Sequence, residues 1–209
     1  MGTANDKAYT AYKDWIVEHN WDVFGTLNFK PKLKPNIDVA QKQWSSVWNK
    51  LDQLIYGRTG VSNGMRVERF VFTQFGSQND NPHIHFLAKS PINTKDFCVN
   101  LNALWKTEFP AAAAPVCNEI LPLIHDESAA KYSLHEYWRN NSETFNAQLS
   151  HLSEKHAQVR TDAVDRLKRS SKQLWRIQAE LAFPNHNRLA KARFKQHVAK
   201  PHYNKRQVP

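Results

Sequence analysis

Two alternating segments joined by a run of turn formers limit most strongly what this chain can become. Arg66-Val67-Glu68-Arg69-Phe70-Val71-Phe72-Thr73-Gln74-Phe75 and Asn81-Pro82-His83-Ile84-His85-Phe86-Leu87-Ala88 each read as a β-strand. Residues 76–82 between them are rich in glycine, asparagine, aspartate and proline, so the pair predicts a β-hairpin. Strand side chains alternate between faces: His83 and His85 leave one side, and Glu68, Phe70, Phe72 and Gln74 share a side of the partner strand. Two imidazoles on one face make half of a metal site, which an oxygen from Gln74 or Glu68 would complete. A bare His-x-His also occurs on ordinary half-exposed strands, so its meaning depends on the rest of the chain.

The remaining pattern supplies a scaffold. Tyr9, Tyr12, Trp15, Ile16 and Val17 predict a short amphipathic helix over 6–20, followed by a core strand over 21–29 with Thr26 and Asn28 on one side. Val39, Trp44, Val47, Trp48, Leu51, Leu54 and Ile55 form a helical stripe over 36–56, and 57–64 reads as a loop. Asn93 opens a helix carrying Phe97, Val99, Leu101, Leu104 and Trp105; an alanine connector and a strand over 116–124 follow. Asp126-Glu127-Ser128 is the expected cap of a helix running through Ala129, Tyr132, Leu134 and Trp138. That order predicts an α+β fold, a central antiparallel sheet with flanking helices.

Composition shifts near Asn140-Asn141. From there the pattern is helical and basic (Arg166, Lys168, Arg169, Lys172, Arg176, Arg188, Lys191, Arg193, Lys195), which predicts a domain over 1–140 and a basic helical C-terminal region over 141–209. A formal net charge of +10 points to a polyanionic partner, nucleic acid being the commonest. Cys98 and Cys117 sit in apolar segments and suit reduced, buried thiols of an intracellular protein. No stretch resembles a signal peptide or is long enough to span a bilayer, so a soluble, unexported protein is expected. There is no Gly-x-x-x-x-Gly-Lys-Ser/Thr loop, hence no sign of an NTPase.

Tyr132 stands three residues before His135, so on one helix the phenol and the imidazole share a face, with Glu136 turned aside; Tyr137, five residues on, points elsewhere. A phenol with a reference pKa of about 10 is a poor nucleophile at neutral pH unless its target is activated, which a metal held by histidines can do. Phe24-Gly25-Thr26-Leu27-Asn28-Phe29, Pro82-His83-Ile84-His85-Phe86 and Ala130-Lys131-Tyr132-Ser133-Leu134-His135-Glu136 resemble, in order and spacing over about residues 20–140, the three motifs of the HUH endonuclease superfamily. They are most similar to those of rolling-circle replication initiators, the Rep proteins.

The resemblance implies a ferredoxin- or RRM-like sheet, and Mn²⁺ or Mg²⁺ held by His83 and His85 with Gln74 in the third ligand's usual place. It implies Tyr132 as the single nucleophile, forming a 5′-phosphotyrosine link and a free 3′ hydroxyl, with His135 beside it where lysine is common. Thr26, Asn28 and Lys131 become DNA contacts. Implied partners are single-stranded DNA at a replication origin and a host helicase and polymerase, in the cytoplasm of a bacterial host if a plasmid or phage encodes the chain. Conjugative relaxases place their tyrosine ahead of the histidines and are excluded by motif order. HUH single-tyrosine transposases share the order but lack the Phe24–Phe29 strand and the long C-terminal region. The other alternative is a binding module without chemistry, whose sheet stacks bases on Phe70 and Phe72.

Overall fold

The histidine hairpin forms one side of a four-stranded sheet. The computed structural model describes residues 4–30, 32–112, 118–140, 144–152 and 158–170. In chain order the elements are α1 (Ala4–Glu18), β1 (Val23–Asn28), α2 (Ile37–Ser62), β2 (Arg69–Gln74), β3 (His83–Ala88), α3 (Thr94–Glu108), β4 (Glu119–Pro122), α4 (Asp126–Ser133), α5 (Tyr137–Asn140) and α6 (Ala163–Ser170). The strands lie in the order β2-β3-β1-β4 with every neighbour antiparallel, as the α+β reading expects.

One face of the sheet carries Val23, Leu27, Val71, Ile84 and Phe86, packed against the α2 and α3 residues Trp44, Trp48, Phe97, Leu101 and Trp105. Asn36 starts α2 by accepting the Val39 N–H, and Asn93 starts α3 by accepting those of Lys95 and Asp96. Gly25 pairs with Phe86 across β1 and β3, and a Cβ there would lie 2.2 Å from the Phe86 ring. Only glycine admits that ring, which then meets Trp48 edge to face at 5.0 Å. On the opposite face Phe70, Phe72 and Leu87 pack against Ile16 of α1 and Ala129, Ala130 and Leu134 at α4. This second layer leaves His83, His85, Gln74 and Thr26 beside α4.

Several expectations need correction. The loop expected over 57–64 is mostly helix: α2 runs to Ser62 across a break at Gly57, whose φ of 78° suits glycine. The single helix expected from Asp126 to Trp138 is two pieces, α4 ending at Ser133 and α5 starting at Tyr137. Asp126, Glu127 and Ser128 do not cap it, because His125 is the N-cap and makes no side-chain bond there. β4 covers only part of the strand expected over 116–124, and Val116 and Cys117 lie outside the described residues. Cys98 is buried, and burial pushes its thiol far above the ordinary value.

Among the described residues the chain does not divide at the boundary expected at 140–141. Residues 145–151 line the open edge of β2, with the Arg69 and His151 backbones exchanging 2.8 Å hydrogen bonds and Asn146 N–H donating to Val71. Leu149 and Leu167 are buried in the main core, and α6 packs on α2 and α3. A buried ion pair ties these parts together. Arg69 donates twice to Asp52 at 3.1 Å and once to the Leu149 carbonyl at 2.8 Å, and lies over the Trp48 ring. Burial pushes the Asp52 carboxyl up, and Arg69, the Val67 N–H and Arg66 pull it back. The sequence pattern of 141–209 missed this because a segment filling a sheet edge contributes few apolar residues. The basic run from Lys172 to Lys195 lies outside the described residues. Among the described residues no helix is long and apolar enough to cross a membrane.

Candidate metal and tyrosine site

Register places the site's groups in two rows. Gln74, His83 and Asn28 are mutual partners across β2, β3 and β1, and the next row on the same face is Phe72, His85, Thr26 and Glu119. The two imidazoles stand nearly perpendicular with ring centroids 5.0 Å apart. His83 Nδ1–H donates to the Asn81 carbonyl at 2.9 Å, which leaves the lone pair of the neutral ring on Nε2. Burial holds the His83 pKa below its ordinary value; the Asn81 carbonyl and the Glu136 charge oppose this and His135 adds to it. A neutral imidazole is the form that binds a metal. His85 Nδ1 is 2.8 Å from the Thr26 hydroxyl, so Thr26, expected as a DNA contact, is a buried support for a histidine.

The two candidates for the third oxygen separate clearly. Gln74 is fully buried, its Nε2–H donates to the Ser133 carbonyl at 2.8 Å, and its Oε1 has no hydrogen-bond partner. An amide fixed at its nitrogen with a buried, unsatisfied oxygen beside His83 fits a cation ligand, since such an oxygen otherwise costs about 1–3 kcal/mol. Glu68 precedes Gln74 by six residues, about 20 Å along an extended strand, and sits 3.8 Å from Lys89. It is not brought to the histidines. Among the described residues no group of three His, Cys, Asp or Glu side chains could hold a metal ion. Asn28 flanks His83 on the other side, and its Oδ1 is likewise buried without a hydrogen-bond partner.

α4 delivers the tyrosine. The Tyr132 ring meets His85 edge to face with centroids 4.7 Å apart, and Phe24 meets both rings at under 6 Å. His135 lies 5.1 Å from Tyr132 and 5.8 Å from His85 between ring centroids. Its position has a different cause from the shared helix face expected, because α4 has already ended; the turn is held by His135 Nδ1–H donating to the Tyr132 carbonyl at 2.6 Å. Burial raises the Tyr132 pKa, and the charges of Glu119 and Glu136 raise it further. The phenol therefore enters neutral pH protonated. Lys131 is on the exposed side of α4, 2.8 Å from Glu127. Tyr137 is buried against Tyr9 and Tyr12 and does not join the site.

No family model, no curated protein and no solved structure matches the chain. The site's own geometry carries the functional argument.

Sequence reasoning missed three groups. Glu136, expected to be turned aside, is buried, and its carboxylate accepts the Phe75 and Gly76 N–H groups at 2.9 Å, fixing the end of β2 beside Gln74. Glu119 enters only through the β1–β4 register, which no local pattern reveals. Phe24 was visible as part of a strand but not as a ring packed against both His85 and Tyr132. Phe70 and Phe72, the stacking pair of the binding-module alternative, are buried against each other and Trp15, which removes that platform.

Proposed function

We propose that the chain nicks and rejoins single-stranded DNA through Tyr132, the chemistry of HUH rolling-circle initiators. The observation that carries the reading is the Tyr132 ring against His85, on the same sheet face as His83 and the buried oxygen of Gln74. His83, His85 and Gln74 would hold the divalent cation, Mn²⁺ or Mg²⁺, with Asn28 Oδ1 available as a further oxygen donor. Two imidazoles with amide oxygens suit Mn²⁺ better than Mg²⁺. Bound there, such a cation would draw charge from a non-bridging oxygen of the scissile phosphate.

The Tyr132 oxygen attacks phosphorus, the bond from phosphorus to the 3′ oxygen breaks, and the 5′ end stays on the tyrosine. The phenol proton must leave, and His135 stands beside it with Nδ1–H committed to a carbonyl, so it is Nε2, 3.8 Å from the Glu136 carboxylate, that would take the proton. The same proton then reaches the departing 3′ oxygen. Because the phosphotyrosine bond conserves the phosphodiester energy, reversal rejoins the strand, and the free 3′ hydroxyl primes a polymerase. The initiator reading thus implies an origin as substrate and a host helicase and polymerase as partners.

The test is a covalent adduct. Wild-type protein incubated with labelled single-stranded DNA and Mn²⁺ should give a nucleotide on the Tyr132 peptide by mass spectrometry, absent from Tyr132→Phe. An adduct on Tyr137 or a serine, or cutting that leaves a free 5′ phosphate, would refute the mechanism.

A further inference from the structure

We propose that Gln74 is a positioning residue for Tyr132: one end of its amide takes the cation and the other holds the last turn of α4, so that filling the metal site steadies the nucleophile. The proposal rests on the nicking reading above.

A clasp joins the end of β2 to the turn that follows α4. Gln74 Nε2–H donates to the Ser133 carbonyl at 2.8 Å, and the Phe75 and Gly76 N–H groups donate to the Glu136 carboxylate at 2.9 Å. Ser133 directly follows Tyr132 and ends α4. The last carbonyls of a helix have no partner inside it, and here Gln74 supplies one from another segment. α4 has 8 residues and no side-chain cap at its start, so helix formation alone holds it weakly. Burial of Ala129, Ala130 and Leu134 attaches it to the sheet. That attachment is non-directional, whereas the clasp fixes the rotation of the last turn and so the stand of the Tyr132 ring against His85.

The other end of the same amide faces the metal site. Gln74 is fully buried, pairs with His83 across β2 and β3, and has an Oε1 without a hydrogen-bond partner. With a cation on Oε1 the amide is polarised and its N–H becomes a stronger donor, so the bond to Ser133 tightens when the site fills. The coupling is reciprocal: a fixed α4 end also holds Oε1 in place for the ion. A carboxylate would serve the ion and have no hydrogen for Ser133, which accounts for an amide at this position.

Hydrogen exchange of the full chain, read by mass spectrometry on the peptide spanning 133–136, tests the clasp, and calorimetry reads Mn²⁺ affinity. The Leu134 and His135 N–H groups in that peptide bond back to the Ala130 and Tyr132 carbonyls. Wild type should exchange there about threefold more slowly with saturating Mn²⁺ than in chelator. Gln74→Glu should bind Mn²⁺ more tightly, yet when saturated exchange this peptide about tenfold faster than wild type and form the Tyr132 adduct about tenfold more slowly. Gln74→Met removes both ends and should show the faster exchange in chelator; it carries the test if melts show that Gln74→Glu does not fold. Exchange that neither Mn²⁺ nor either substitution alters would overturn the proposal, as would a Gln74→Glu protein whose adduct rate rises with its affinity. The expected exchange pattern without any wild-type adduct overturns the nicking reading and leaves the clasp, whereas an adduct with unaltered exchange overturns the clasp alone.

Discussion

Shortening Leu167 to alanine tests whether the chain beyond Asn140 belongs to the folded unit. The side chain is 1% exposed, carried on α6 into the core that α2 and α3 share with the sheet. A buried Leu→Ala change costs about 2–5 kcal/mol from lost burial and the cavity left behind. Against a total stability of about 5–15 kcal/mol this is large. For a chain of this length each kcal/mol lowers the melting temperature by about 2–4 °C, so a central loss of about 3 kcal/mol gives about 6–12 °C. Leu152, 46% exposed, is the control, and Leu152→Ala should stay within about 0.5 kcal/mol of wild type. Circular dichroism melts and urea titrations read both variants. If Leu167→Ala melts with wild type, α6 is not part of the core and the independent region expected over 141–209 is reinstated. By the same reasoning a chain ending at Asn140 loses Leu149, Leu167 and the backbone bonds along β2, and should not melt cooperatively.

Further outcomes follow from the buried polar groups. Arg69→Met leaves the Asp52 carboxylate only the Val67 N–H at 2.8 Å and Arg66 at 3.5 Å and frees the Leu149 carbonyl, so urea unfolding should show a loss of about 3 kcal/mol, with Arg69→Met plus Asp52→Leu recovering part of it. Gln74→Glu puts a carboxylate where a neutral oxygen stands and should tighten Mn²⁺ binding in calorimetry; unchanged affinity would remove Gln74 from the ligand set. His83 and His151 are both held below the ordinary histidine pKa, chiefly by burial. A depressed histidine binds its proton more readily unfolded, so this stability is complete above about pH 6.5 and is lost as pH falls toward the folded values. The urea midpoint in chelator should therefore drop between pH 7.5 and 5.5, and less so in His83→Gln.

What the sequence determined by itself was local: strand alternation placed His83 with His85 and Thr26 with Asn28, Asn93 marked the start of α3, and the turn residues closed the hairpin. Such signals persist because period, cap chemistry and turn propensity act within a few residues. Choosing Gln74 over Glu68 required knowing where β2 pairs with β3, since alternation puts both on one face and only register tells which meets His83. Glu119 and Phe24 reached the site the same way, through pairings that depend on distant strands. The end of α4 at Ser133, the inward turn of Glu136 and the entry of Leu149 and Leu167 into the core were tertiary decisions as well. Each hinges on backbone N–H groups and apolar surface that other segments leave uncovered, and a chain read in order cannot show which of its parts will be left needing cover.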